Sequence, residues 1–353
     1  MAKIILDCDL MKHKNSGLYQ YCLNIGNHVD QLLVKNNSTD KIQYYIPRSE
    51  VNTFDKSNHC IIEKTHHRFV KPFLWDCDIW HAPFQSGRMV PEKNKQVKVV
   101  LTIHDLNCLH EGKHSEEQKK SLEHTQKLID RADAIVCISE FCKKDVLTNC
   151  DVQNKPVHVI HNGTHRLHEP ELNSISYQPV RPFLFGMGYV NRKKNFHVLL
   201  PMMQHNNYEL IIAGRLDEPD YIHSIKQLAS TLGIEERVHL LGPVSEQEKA
   251  WYLKNCLAYM HPSLAEGFGA PVVEAMAFGK PMFLSNFTSL PEIAGDVAFY
   301  FSNFEAEHMH DVFNGGMNIY QSNGLAKSII LKGREYDWKI KAAEYIAVYH
   351  SLM

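Results

Sequence analysis

Short apolar runs of strand length alternate, from one end of the chain to the other, with segments whose apolar residues recur at helical spacing. Lys3–Leu6 comes first. Gly17–Val34 follows, with Leu18, Tyr21, Cys22, Ile25, Val29, Leu32 and Leu33 on one helical face. Val97–Ile103 is apolar apart from Lys98 and Thr102, the pattern of a strand covered on both faces. Ala134–Ile138 is another, after which Ser139 caps a helix through Leu147, and Val157–Ile160 ends this series. A second series runs through strand Phe183–Met187, helix Phe196–Met203, strand Glu209–Ala213, helix Tyr221–Leu232, strand Val238–Leu241, helix Glu246–Asn255, strand Ala258–His261, helix Pro271–Phe278 and strand Pro281–Ser285. Such alternation predicts parallel sheets with helices on both faces, and 353 residues suffice for two domains at roughly 100–200 residues each. Residues 1–164 form the first domain. The aperiodic stretch 165–182, with Pro170, Pro179 and Pro182, is the expected linker, and 183–335 form the second domain. The final helix, Tyr336–Leu352 within residues 336–353, is expected to cross back onto the first domain.

Charge and cysteine content narrow the function classes. With 38 Lys and Arg against 40 Asp and Glu, the net charge of -2 opposes nucleic-acid binding, which leaves a strong basic excess. Nine cysteines are scattered without a Cys-x-x-Cys pair, the usage expected of reduced thiols in a cytoplasmic protein. In Met1–Asp7 only Ile4–Leu6 is continuously apolar, so no export signal is expected there, and no run approaches the roughly 20 apolar residues of a membrane span. Any membrane contact is therefore expected at the surface. His161 with His165, His66 with His67, and His308 with His310 lack further ligands at metal-site spacing, so no metal is expected. Lys64–Trp75 interleaves basic and aromatic residues. Its aromatics are expected to pack inward before a strand at Asp78–His81; the competing reading is a dock for anionic lipid or a lipid-linked acceptor.

The most informative run is Pro262–Ala277. A strand ends at His261, a loop carries Glu266, Gly267, Phe268, Gly269 and Ala270, and a helix opens at Pro271. Glycines let backbone N–H groups approach a ligand, and a helix N-terminus favours an anion, so this is a phosphate cradle at the carboxyl end of a strand. Glu266 precedes the cradle, and Glu274 lies about one turn into the helix, placed for a ribose hydroxyl. The competing reading makes the glycines a simple turn and Glu274 a solvated helix residue.

Glu266 and Glu274 match the Glu-x7-Glu motif, and the whole run resembles the retaining glycosyltransferases of the GT-B fold, family GT4 (glycosyltransferase group 1). Ser285–Ala298, Gly188–Asn195, Gly242-Pro243-Val244, Thr102–Leu106, Ile138–Phe141 and His161-Asn162-Gly163 extend the resemblance over essentially the whole chain. It implies two Rossmann-like doubly wound domains facing across a cleft. Lys194 matches the lysine placed on the donor diphosphate. Lys193 stands where the family usually has arginine, which keeps the charge but loses the planar fork. Glu266 would position the donor sugar and Glu274 the ribose, and the backbone of Val244 would meet the nucleobase. Gly188, Gly267, Phe268, Gly269 and Ala270 complete the implied donor site, with Arg215 as a suspected member. In the first domain, His104 of His104-Asp105 matches the histidine beside the transferred sugar. Gly17, after Asn15-Ser16, matches the glycine-rich first loop, where the family often has two adjacent glycines.

The resemblance implies sugar transfer from a nucleotide-sugar donor with retention at the anomeric carbon. His104, Glu266 and Lys194 are the expected catalytic residues, and neither cofactor nor metal is expected. GDP-mannose is the favoured donor, by similarity to bacterial O-antigen and capsule mannosyltransferases; a UDP-sugar is the alternative. The acceptor is a glycan or lipid-linked glycan in lipopolysaccharide or cell-surface polysaccharide synthesis. The expected location is cytoplasmic, peripheral on the inner membrane face. Two other readings are a non-transferring enzyme of the same fold, such as an epimerase or hydrolase, and a catalytically silent nucleotide-sugar-binding protein. The intact Glu266/Glu274 pair opposes the first, and the retained Lys194, Glu274 and glycine loop oppose the second.

Overall fold

The computed structural model describes residues 1–14, 16–54, 60–86, 88–164 and 175–353. Asn15, His165 and residues 165–174 of the expected linker lie outside the described residues. Two compact units divide the chain: Met1–Gly163 with Tyr336–Met353, and Thr164–Glu335.

The first unit contains β1 (Lys3–Asp7), α1 (Gly17–Lys35), β2 (Lys41–Ile46), β3 (Cys60–Ile62), β4 (Ile79–Ala82), β5 (Lys98–Ile103), α2 (Ser115–Arg131), β6 (Ala134–Cys137), α3 (Glu140–Asn149) and β7 (Val157–Val159). Its strands pair in parallel in the order β3-β2-β1-β4-β5-β6-β7. The pleat sends alternate residues to opposite faces. Ile4 and Leu6 of β1 enter a core with Tyr21, Cys22, Ile25 and Val29 of α1, whereas Ile5 enters a core with Leu128 and Ile129 of α2 and Val146 of α3. Ser16 starts α1 by accepting a hydrogen bond from the Tyr19 N–H at 3.1 Å.

The second unit contains β8 (Phe183–Met187), α4 (Leu199–Met202), β9 (Glu209–Ala213), α5 (Pro219–Thr231), β10 (Val238–Gly242), α6 (Glu246–Asn255), β11 (Ala258–His261), α7 (Ala270–Met276), β12 (Met282–Ser285), α8 (Leu290–Ala294), β13 (Phe299–Phe301), α9 (Ala306–Asn323) and α10 (Leu325–Gly333). Its strands are also parallel, in the order β10-β9-β8-β11-β12-β13. Every residue of β9, β11 and β12 is buried, as two helical layers require. In each sheet the strand order reverses once, between β1 and β4 and between β8 and β11. Ligands of open α/β sheets bind beyond the carboxyl ends of the strands at that reversal. The loops after β8 and β11 flank it in the second unit.

The chain then returns to the first unit as α11 (Trp338–Ser351). Trp338, Ala342, Tyr345, Val348 and Tyr349 enter the same core as α1, at about 1.5–3 kcal/mol for each large apolar side chain.

Three local expectations are corrected. Phe196–Met203 is not one helix: 3-10 turns at Phe196–Val198 and Met203–His205 flank the single turn of α4. Pro201 has no N–H to donate back to residue 197, so the α ladder cannot run through. Residues 175–182, the end of the expected linker, belong to the second unit, which begins at Thr164 rather than at residue 183. The Val180 and Arg181 N–H groups donate to Glu209 Oε1 at 2.9 Å, and the Tyr177 hydroxyl donates to Glu209 Oε2 at 2.7 Å. Lys64–Trp75 packs only partly inward. Phe73 lies against Tyr45 and Trp80, while Phe69 and Trp75 are 87% and 85% exposed. Among the described residues no helix is long and apolar enough to cross a membrane.

Candidate active site

Two loops of the second unit build the site. Beyond β8, Gly188 has φ +147°, and a Cβ there would lie 2.9 Å from Lys194 Cε, so a glycine is needed for the lysine stem to pass. The turn Arg192–Lys194 is capped by Asn191, whose Oδ1 accepts from the Lys194 N–H at 3.2 Å. Beyond β11, the Leu264 N–H donates to the Lys193 carbonyl at 2.8 Å and joins the two loops. The Glu266 N–H donates to Thr288 Oγ1 at 2.9 Å, and its carbonyl accepts from Ser289 Oγ at 2.8 Å. Glu266 is therefore fixed from three loops. Gly267, Phe268 and Gly269 are buried, and Gly269 (φ +89°) caps α7 at Ala270.

The Glu266 carboxylate is buried and paired. Its Oε1 accepts from Lys194 Nζ and, at 2.9 Å, from His261 Nε2. Burial alone would raise its pKa, but Lys194, then His261 and Lys193, outweigh that and hold it well below the usual carboxylate range. Burial keeps His261 below its ordinary pKa against the pull of Glu266. Neutral His261 thus donates from Nε2 and accepts at Nδ1 from the Tyr259 hydroxyl at 3.1 Å. The result is an anion at fixed position, with a cation beside it that can also serve a second anion.

Glu274, on α7, has a different partner. Lys249 Nζ of α6 lies 3.1 Å from Glu274 Oε1 and 2.7 Å from Glu246 Oε2. Glu274 Oε2 is buried without a hydrogen-bond partner. Burial raises the Glu274 pKa, with Lys249 opposing.

Arg215 follows β9 and Gly214. It is exposed, with its guanidinium 4.4 Å from the centre of the Tyr189 ring and paired with Asp217. Val244 is half-buried in the connection from β10 to α6, next to the N-cap Ser245. Structure thus brings Gly188, Lys193, Lys194 and Glu266 together, and gives Glu274 and Arg215 separate partners.

His104 and Gly17 belong to the first unit. His104 follows β5, is buried, and donates from Nε2 to the Pro83 carbonyl at 2.8 Å. Burial lowers its pKa to about 4, against that bond. The Tyr21 ring meets it edge-on at 4.7 Å. Behind Tyr21 lies a buried polar chain. The Tyr21 hydroxyl bonds that of Tyr345, and His81 bonds Thr102 and Tyr349, each at 2.8 Å. Gly17 is the first residue of α1, and no atom lies within 4 Å of where its Cβ would sit. Among the described residues no group of three or more His, Cys, Asp or Glu is disposed to hold a metal.

Sequence reasoning missed His261, Lys249 and the Tyr21–Tyr345 chain. Only His261 left a signal: it shares a face of β11 with Tyr259 and lies directly before the motif.

Comparison with known proteins gives two family matches, "Glycosyltransferase Family 4" over residues 49–166 and "Glycosyl transferases group 1" over 175–315. Among curated relatives, the serotype-specific mannosyltransferase WbdA of Escherichia coli is 26% identical over 228 residues, 58% of this chain and 27% of WbdA. The O-antigen chain mannosyltransferase RfbU of Salmonella typhimurium is 26% identical over 175 residues, 49% of this chain and 47% of RfbU. The match thus spans about a quarter to a half of these relatives' own length. Among solved structures, Anabaena HepE in complex with UDP-glucose superposes with a TM-score of 0.77 at 16% identity, covering 99% of this chain and all of that one.

Proposed function

For a chain that belongs to the group 1 glycosyltransferases of family 4, as this one does, we propose that it moves a sugar from a nucleotide-sugar to a glycan or lipid-linked acceptor, retaining the anomeric configuration. The observation that carries the reading is the pair of motif carboxylates, Glu266 buried and ionised between Lys194 and His261, Glu274 with one buried, unpartnered oxygen. Lys193 and Lys194, with the loop leading to Ala270, meet the donor diphosphate. They stabilise the charge that develops on it as the glycosidic bond breaks, through groups already in place before reaction. Lys194 does this while remaining beside Glu266, which holds hydroxyls of the donor sugar. Glu274 accepts from the ribose, and Val244 offers its backbone to the base. His104, neutral at working pH, lies by the transferred sugar.

GDP-mannose is the preferred donor, in keeping with the mannosyltransferase names of WbdA and RfbU. A UDP-sugar is the second reading, favoured by the likeness to HepE with UDP-glucose. Cell-surface polysaccharide synthesis at the cytoplasmic membrane face is the proposed setting.

Calorimetric titration with GDP, UDP, ADP and their sugars tests the donor site. A true ligand stabilises the fold by about 2.7 kcal/mol at a hundredfold excess over its Kd. Binding of GDP-mannose, abolished in Glu274→Ala, supports the proposal. Binding of UDP compounds alone transfers it to the second reading, and no binding at millimolar nucleotide refutes the site. Proton NMR of the first-formed product checks retention.

A further inference from the structure

We propose that Lys249 is a positioning residue for the donor ribose: by taking one oxygen of Glu274 it leaves the other as the acceptor for the ribose hydroxyls. This rests on the donor-site reading above. Lys249 projects from α6, outside the motif, and its side chain is 9% exposed. It is held at both ends of a bridge, 2.7 Å from Glu246 Oε2 on its own helix and 3.1 Å from Glu274 Oε1 on α7. Glu246 is 76% exposed and meets the ammonium from the solvent side, whereas Glu274, 19% exposed, meets it from the protein side.

The consequence lies in the second oxygen. Glu274 Oε2 has no exposed surface and no hydrogen-bond donor, whereas a carboxylate oxygen carries two lone pairs and only accepts. Most buried polar atoms have a hydrogen-bond partner, so an acceptor left without one is open to a ligand's donor. Vicinal hydroxyls supply two O–H donors on adjacent carbons, the chemistry this atom lacks. Lys249 also opposes the rise that burial gives the Glu274 pKa, and a protonated carboxyl would present a hydroxyl of its own instead of an acceptor.

The test measures Kd for GDP and UDP and for their 2′,3′-dideoxy counterparts, on the full chain and on Lys249→Met and Lys249→Arg. Loss of a hydrogen bond to a charged group predicts a dideoxy penalty of about tenfold or more in the unaltered protein. Lys249→Met should weaken the parent nucleotide about tenfold and shrink the dideoxy penalty to about twofold, whereas Lys249→Arg should keep the penalty. Equal weakening of both nucleotides, or no change in either, overturns the proposal. Should Lys249→Met fail to fold, Lys249→Gln removes the charge while keeping an N–H donor at that position and should also shrink the penalty; an unchanged penalty there overturns it. A protein that binds neither GDP nor UDP refutes the donor site itself; an unaltered protein that binds without discriminating the dideoxy forms refutes the ribose contact of Glu274; a dideoxy penalty that persists unchanged in Lys249→Met refutes the role of Lys249 alone.

Discussion

Replacing Lys194 by methionine keeps much of the side-chain volume but removes the cation from Glu266, whose side chain is only 11% exposed. Breaking a buried ion pair from one side costs about 3–5 kcal/mol, because the remaining charge has lost its compensation. At about 2–4 °C per kcal/mol for a domain of this size, that lowers the transition of the second unit by about 6–20 °C at pH 8. The pH dependence fixes the cause. In the unaltered protein the Glu266 pKa lies well below its unfolded value near 4.5, so its stabilisation is fully present above that value and fades as pH falls through the folded pKa. In Lys194→Met, burial is no longer outweighed and the carboxyl pKa moves up. His261, relieved of repulsion from Lys194, also takes a proton more readily. The stability deficit should therefore be largest at pH 8 and shrink as pH falls toward 4. Scanning calorimetry over that range, on Lys194→Met, Glu266→Gln and the double variant, is the assay. The double variant should recover most of the loss, since it leaves no unpaired charge. A deficit below about 1 kcal/mol at pH 8, or one independent of pH, would refute the electrostatic argument.

Two further outcomes are expected. Gly188→Ala places a Cβ 2.9 Å from Lys194 Cε at φ +147°, so it should weaken nucleoside diphosphate binding by about tenfold or more in titration while costing about 1–3 kcal/mol of stability. The depressed His104 pKa, about 4 against 6.5, means that its stabilisation is complete above pH 6.5 and declines toward pH 4, by up to about 3 kcal/mol; His104→Phe should remove that part of the acid sensitivity in calorimetric scans.

The second unit was the more legible half. β8, β9, α6 and β11 have the bounds read from the sequence, because buried parallel strands are short unbroken apolar runs and Ser245 marks the start of α6. β2, β3, β13, α2, α8, α9 and α10 are not legible in the sequence. α2 is mostly polar or charged and buries only Thr125, Leu128, Ile129 and Arg131, too sparse a stripe for the periodicity to stand out. α9 contains Gly315-Gly316, which suggests a break. In the folded chain a Cβ at Gly316 would lie 2.6 Å from Phe283 and 2.7 Å from Phe299, so the glycine lets the helix close onto β12 and β13. Partners three-dimensionally near and distant in sequence, such as Tyr21 with Tyr345, had no local signature at all.

The two motif carboxylates show where legibility ends. Their spacing places both beside one loop but says nothing of how each is used. Glu266 sits against Lys194 and His261, which keep it ionised although buried; Glu274 sits against one lysine, and burial pushes its pKa up. The same side chain is thus a firm anion at one position and a marginal one eight residues later. The difference comes from Lys194 together with His261 and Lys193 at the first position, against Lys249 alone at the second, none of which belongs to the Glu-x7-Glu motif. If a motif supplies the reacting groups and their neighbours set the charge, substitutions at His261 and Lys249 should alter donor affinity while leaving the motif intact. A comparison confined to the motif would overlook them.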